Sequence, residues 1–383
     1  MADRDTLIVE LASGVAQLPR AEWDALAGGN PFVSHGFLSA MEDSGSVGRG
    51  TGWTAAPLVL RGDGGGLKAA LPAYLKGHSQ GEYVFDHSWA DAWTRAGGAY
   101  YPKLLIAAPF SPVPGPRVLT RDPDLAVPML RAAEAMVAQN GLSSAHATFI
   151  APDQLGWFEA AGWLIRTDSQ FHWTNRDYGS FDDFLADLSS RKRKAIRKER
   201  EQAQEAVDAI RCLRGAEIEA AHWDAFWIFY QDTGARKWGR PYLTRRAFAL
   251  MAERMGDDLV LILAERDGRP IAGALNVVGR DTLYGRYWGA VADVPMLHFE
   301  LCYYQAIDFA IRERLDRVEA GAQGGHKLAR GYAPVPTLSA HYIADAGFRR
   351  AVADFLRQER AAVADEIEWL GARTPFRRDC AEE

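Results

Sequence analysis

Cysteine is scarce in this chain: three among 383 residues, Cys212, Cys302 and Cys380, far apart and with no CxxC pair. A scattered, odd-numbered set supplies neither a disulfide framework nor a zinc site, and it fits a reducing compartment. Long apolar runs are missing too; none approaches the roughly 20 residues of a membrane-spanning helix. The start, Met1-Ala2-Asp3-Arg4-Asp5, has no basic stretch followed by an apolar one, so no secretory signal is visible and a cytoplasmic location is expected. There is no HExxH, and the glycines of 62–66 lack the Lys-Ser/Thr of a P-loop, so they read as a hairpin turn and no metal is expected. Positive charge is not in excess. With 44 Lys and Arg against 50 Asp and Glu the net charge is −6, which argues against bulk nucleic-acid affinity and leaves only a local basic patch.

What is present points to two globular domains of ordinary size, at 48% hydrophobic and 25% charged residues. The same layout occurs twice. Trp23-Asp24-Ala25 recurs as Trp223-Asp224-Ala225, and Phe37 with Glu42 recurs as Phe248 with Glu253. Leu58-Val59-Leu60 followed by Asp63-Gly64 recurs as Leu259-Val260-Leu261 followed by Asp267-Gly268. Gly162 and His172 match Gly331 and His341, with the same ten-residue step. Four matches in one order predict a duplicated α/β unit, with copies at 1–176 and 177–383. The copies are unequal: Asp63 to Gly162 spans 99 residues and Asp267 to Gly331 spans 64. The surplus lies near 77–116, rich in Tyr, Trp, Gly and Pro, and reads as a functional or lid-like insertion.

Periodicity predicts strands at 6–11, 145–150, 209–213, 259–264, 271–278, 282–288 and 317–320, and a hairpin over 56–60 and 67–74. Helices are expected at 19–26, 34–44, 125–139, 180–188, 298–314 and 348–370. A sheet followed by a helix and a returning strand is a mixed α/β pattern.

The second copy resembles the FemAB-like branch of the GNAT acyltransferase superfamily. The residues that carry this are the basic segment Ser189-Ser190-Arg191 to Arg200, then Asp267 to Ala274, Tyr287-Trp288-Gly289-Ala290, and Glu319-Ala320-Gly321 ahead of His326-Lys327-Leu328-Ala329-Arg330-Gly331-Tyr332. The segment Gly81 to Trp93 is similar to an uncharacterised branch labelled as peptidoglycan-related. The resemblance implies tandem GNAT-like domains in an α/β fold with a mixed sheet. It also implies transfer of an acyl or aminoacyl group to an amine on a small molecule or peptide. Acyl-CoA or aminoacyl-tRNA would be the donor substrate, with no tightly bound cofactor. CoA-binding GNAT domains carry a glycine-rich Q/R-x-x-G-x-G/A turn whose backbone N–H groups cradle pyrophosphate. Here Gly289 to Leu297 holds one glycine and the acidic Asp293, which leans toward the tRNA-linked donor.

Transfer to an amine needs a neutral amine and a stabilised oxyanion, and the leaving group needs a proton. Glu319, at a strand end before a Gly-rich turn, is the first candidate for handling the amine proton; its structural alternative is a surface carboxylate paired with Arg317. Lys327 and His326 complete the expected catalytic set, the lysine holding a phosphate, a carboxylate or the oxyanion. Arg330, Tyr332, Tyr287, Trp288 and Tyr303 are expected to line the acceptor site. In the insertion, Asp86, His87 and Asp91 with Trp89 are expected to form a polar recognition cluster. Arg191, Lys192, Arg193 and Lys194 would contact donor phosphates, with tRNA as a partner; the alternative is a solvated helix face. His341, mirrored by His172, reads as structural. Two other functions fit the sequence: a non-catalytic binding protein that keeps the duplicated fold, and an RNA-associated factor using the basic segment.

Overall fold

The structure is a computed structural model that describes residues 7–237, 241–321 and 324–377, with the side chains of 235–237 left aside. Cys380 and the Met1–Asp5 start lie outside the described residues. Its strands are β1 (Val9–Leu11), β2 (Trp53–Ala55), β3 (Leu58–Arg61), β4 (Leu67–Leu71), β5 (Ala73–Lys76), β6 (Lys103–Ile106), β7 (Leu119–Thr120), β8 (Ser144–Ile150), β9 (Leu164–Thr174), β10 (Ala209–Arg214), β11 (Leu259–Arg266), β12 (Arg269–Val278), β13 (Thr282–Ala290), β14 (Arg317–Glu319) and β15 (Ala333–Ile343).

Two compact units share the chain: Met1–Asp168 with Tyr242–Arg254 and Thr337–Val363, and Ser169–Pro241 with Met255–Pro336 and Ala364–Glu383. Compactness thus divides the chain differently from a cut at 176/177. Hydrogen bonding explains why segments 242–254 and 337–363 belong with the first unit. Thr244 bonds Ser44 and Ser46, Arg254 bonds Ser39 and Asp43, and β15 pairs with β8 from Leu338 to Ile343.

In the first unit β8 is buried along its whole length, between β15 on one side and β6 on the other. The helix Ala126–Gln139 buries Met129, Leu130, Ala133, Met136 and Val137, a 3.6-residue stripe that seals the core beneath β3, β4, β6 and β8. Ser34 caps the helix His35–Asp43 by accepting the N–H of Phe37 at 3.2 Å. β3 and β4 pair as the expected hairpin, but the run continues past Leu71 into a separate strand, β5, that pairs with β2 and β6.

The lid-like reading of 77–116 is corrected here. The segment contains the helix His87–Arg95 and β6, whose four residues are all buried between β5 and β8. It is part of the sheet. Only four residues long and preceded by Pro102, β6 gives too little alternation to be read as a strand.

In the second unit the strands run in the order β10-β11-β12-β13-β14-β9, with β13 and β14 parallel and the other neighbours antiparallel. One face packs on the helix Phe181–Asp187 and on the helical stretch 297–312. That stretch is not uniform: a π-helical turn, Glu300–Tyr304, interrupts it. Such turns insert an extra residue into the ladder and recur at functional sites. The helix Ala220–Lys237 presses on the other face so closely that a Cβ at Gly289 would lie 2.2 Å from the Phe229 carbonyl oxygen. The lone glycine of the expected donor turn is therefore required for packing.

Candidate functional site

β13 and β14 run side by side for three pairs, Thr282–Arg317, Leu283–Val318 and Tyr284–Glu319, and no further. Immediately beyond, β13 bulges: Leu275 of β12 faces Tyr287 while Asn276 faces Gly285, leaving Arg286 as the extra residue. A bulge bends its strand and ends pairing, so the two strands part just past Glu319. Parallel strands that separate in this way expose backbone and side chains at their carboxyl ends.

Glu319 occupies the parting point. It is buried, and burial pushes its carboxyl up to about 8 against the opposing pull of Arg317 and Arg286. Its Oε2 has no hydrogen-bond partner among the described residues. The pairing with Arg317 considered from sequence does not form; that guanidinium reaches Asp281 at 3.4 Å instead. Opposite Glu319 on β9 stands His172, whose Nδ1 is 3.8 Å from Oε1. The other ring nitrogen, Nε2, meets Gln170 Oε1 at 3.1 Å. Burial lowers His172 to about 3, helped by Arg317 and Lys327, so the ring is neutral near pH 7. Tyr284, also on β13, has its phenol raised by burial and by the Glu319 charge.

A second group gathers around the π turn and the 3-10 turn Gly325–Arg330. Lys327 is buried, donates to the Gly321 carbonyl at 2.7 Å, and is lowered to about 8 by burial. His326 is exposed and lies 2.9 Å from the Tyr303 hydroxyl. Arg330 stacks on Phe299 at 3.5 Å and bonds Glu199 at 2.8 Å, and Tyr304 donates to the same carboxylate. Tyr332 packs edge-on against Tyr303, its buried hydroxyl without a partner among the described residues. The structure thus brings Lys327, His326, Tyr303, Arg330 and Tyr332 together. No hydrogen bond or ion pair joins Glu319 to Lys327 among the described residues.

Tyr287 and Trp288 do not share a wall. Consecutive on β13, they point to opposite faces: Tyr287 meets Tyr230 and Trp288 meets His298. The cluster expected at Asp86, His87 and Asp91 is not assembled either, because His87 and Asp91 are exposed while Asp86 is buried. In the first unit Asp86 accepts from Lys103 at 2.5 Å and from Tyr100 at 2.6 Å; burial opposes its charge, but Lys103 outweighs it and holds the carboxyl far below its usual range. Trp89 packs edge-on against His341 at 4.9 Å, and His341 in turn meets His146 Nδ1 to Nδ1 at 2.7 Å.

The basic segment forms the helix Ser190–Glu205. Arg191 and Lys194 are exposed and Lys192 and Arg193 half-buried, Arg193 donating to the Leu188 carbonyl at 3.3 Å. Arg200 turns inward to the fully buried Glu300, which also accepts from Gln204 and Gln305. Sequence reading passed over Glu199, Arg200 and Glu300 as site-shaping residues, as it did His172, Gln170 and Lys103. Their partners lie far away in sequence, and only the shared Gly-to-His step marked His172 at all.

The geometry has counterparts in known proteins. The family model FemAB-like, described as peptidoglycan biosynthesis/recognition, matches residues 14–378, and the chain belongs to that family, a GNAT-related branch with a mixed α/β fold. Among solved structures, FemX superposes with a TM-score of 0.54 at 12% identity, covering 88% of this chain and 99% of the other. The C-terminal domain (DUF2156) of a putative lysylphosphatidylglycerol synthetase from Agrobacterium fabrum gives 0.52 at 10% identity, covering 90% and 98%. L-PGS from Bacillus licheniformis gives 0.50 at 9%, covering 91% and 98%. At such identities these neighbours establish the fold. No curated protein sequence matches. Among the described residues no helix is long and apolar enough to cross a membrane.

Proposed function

We propose that the chain is an acyltransferase that moves an acyl or aminoacyl group from acyl-CoA or aminoacyl-tRNA to an amine, with its centre where β13 and β14 part. The observation that carries this reading is Glu319: a buried carboxyl raised to about 8, with one oxygen unpartnered among the described residues, at the end of a parallel strand pair. A group that titrates near the working pH takes and returns a proton with little driving force lost, as general acid–base catalysis requires.

The reaction follows from that property. The acceptor arrives as an ammonium ion and passes a proton to the Glu319 carboxylate. The neutral nitrogen attacks the carbonyl carbon of the ester or thioester, forming the N–C bond and a tetrahedral oxyanion. As the intermediate collapses, the C–O or C–S bond breaks. Glu319 supplies the proton that the leaving oxygen or sulfur takes up, and its regenerated carboxylate then takes the second proton from the nitrogen and releases it to solvent. Lys327, nearly desolvated and bonded among the described residues only to the Gly321 carbonyl, is the proposed stabiliser of the oxyanion or of the donor's phosphates, with His326 and Arg330 beside it.

Membership in the FemAB-like family supports transfer of this kind, and the name of the Agrobacterium neighbour is consistent with an aminoacyl donor. The exposed cations Arg191 and Lys194 supply a surface for the phosphates of tRNA. Incubating the protein with charged tRNA or acetyl-CoA and a panel of amines, followed by mass spectrometry of the products, tests the proposal. An amide formed from one donor class and lost in Glu319→Gln supports it; no amide from either donor contradicts it.

A further inference from the structure

The pair formed by His172 and Glu319 has a property that neither residue has alone. Gln170 Oε1 is an acceptor, so the 3.1 Å contact fixes the proton of the neutral ring on Nε2 and leaves Nδ1 as a bare lone pair. That lone pair faces Glu319 Oε1 at 3.8 Å, too far for a hydrogen bond between them. With the carboxyl ionised, two buried acceptors face each other across a gap, on strands whose register sets them directly opposite. A single hydroxyl proton satisfies one of them. A nitrogen carrying two or more protons satisfies both.

We propose that His172 is a substrate-binding residue, and that a primary amine binds with its nitrogen between His172 Nδ1 and Glu319 Oε1 while Gln170 holds the imidazole in the receptive tautomer. This rests on the transferase reading only for the identity of the amine as acyl acceptor; the amine site stands on the geometry. Bound as an ammonium ion, the amine gives one proton to Glu319: an N–H bond breaks, the carboxylic O–H forms, and no other reactant is needed. Burial of both groups favours the neutral products. Arg317 of β14 and Arg286 of β13 favour the carboxylate, with Asp281 opposing them, while Arg317 and Lys327 disfavour a cation beside His172. Tyr284, the register partner of Glu319 on β13, is raised by burial and by the Glu319 charge and stays protonated.

The test uses the full chain and butylamine, with N,N,N-trimethylbutylammonium as a probe of similar size that has no N–H. Calorimetric titration at pH 8 is expected to show butylamine binding and no quaternary binding. Glu319→Gln abolishes it, and His172→Leu weakens it about tenfold, the effect of losing one hydrogen bond of about 1.4 kcal/mol. His172→Gln, which keeps an acceptor, retains most of the affinity. Gln170→Leu lets the ring proton move to Nδ1 and weakens binding, and this variant decides the matter if His172→Leu does not fold. Equal binding of the quaternary probe, no butylamine binding, or unchanged affinity in both His172→Leu and Gln170→Leu would overturn the proposal. Amine binding as described without amide formation from either donor contradicts the transferase reading alone.

Discussion

Lys103 and Asp86 form a buried ion pair in the first unit, with Nζ 2.5 Å from Oδ2. The lysine also donates to Ser79 and Glu82 at 2.8 Å, so its ammonium has three acceptors. Burial disfavours that charge, yet the two carboxylates outweigh it and hold the lysine above its usual range. Lys76 balances the second carboxylate, 3.7 Å from Glu82 and over the Trp53 ring.

Removing one partner from such a set leaves a desolvated charge behind. Lys103→Met is expected to cost about 3–5 kcal/mol, read from urea denaturation at pH 7. A loss below about 1 kcal/mol, the scale of an exposed pair, would show that solvent reaches the cluster.

Much of this architecture is legible in the sequence, and the reasons for the gaps are physical. The helices 126–139, 181–187 and 346–371 and the strands β8 and β10 to β14 follow apolar periods long enough to be unambiguous. Glu319 and Lys327 stand out because a strand end and a Gly-rich turn flank them. Lys103, by contrast, sits in a four-residue strand, and its partner Asp86 is 17 residues away. His146 and His341 meet across 195 residues. His172 and His341 each follow a glycine by ten residues but face different partners, Glu319 and His146. A matched sequence pattern leaves open the side-chain chemistry, which depends on what the neighbouring strand presents.

Glu319 links stability to pH. Its carboxyl is raised from 4.5 to about 8 by burial, so the stabilising protonated form is fully present below 4.5 and lost as pH rises through 8. Glu319→Gln cannot ionise. Its stability relative to wild type is expected to improve by up to about 1.4 kcal/mol per pH unit over that window, measured by urea denaturation at pH 5, 6, 7 and 8. A difference independent of pH would show that Glu319 is ionised throughout.

The helix Ser190–Glu205 separates two roles by face. Arg191→Ala with Lys194→Ala removes exposed charges and is expected to leave thermal stability unchanged while weakening tRNA binding and flattening its salt dependence by about one unit per lost phosphate contact. Arg200→Ala strands the buried Glu300 and is expected to lower stability by about 3 kcal/mol. Filter binding across a salt series and thermal unfolding together check both; equal tRNA affinity in the double variant at every salt concentration would remove this face from donor binding.

Lys327→Ala removes a buried amine whose one side-chain hydrogen bond among the described residues is to the Gly321 carbonyl. Single-turnover transfer is expected to slow by about tenfold or more, the scale of a lost oxyanion contact, with unfolding unchanged within a few degrees. A normal rate would assign the lysine to the turn's structure.

The most direct test of the account is the pH dependence of transfer in wild type and Glu319→Gln. With the donor identified by product mass spectrometry, the wild-type rate is expected to rise with pH through an inflection near 8 to a plateau above it, following ionisation of Glu319. The variant is expected to be slower by about tenfold to a hundredfold, as for a lost general base, and to lack that inflection. A Glu319→Gln rate equal to wild type, with the inflection retained, would contradict the assignment of the centre to the parting of β13 and β14.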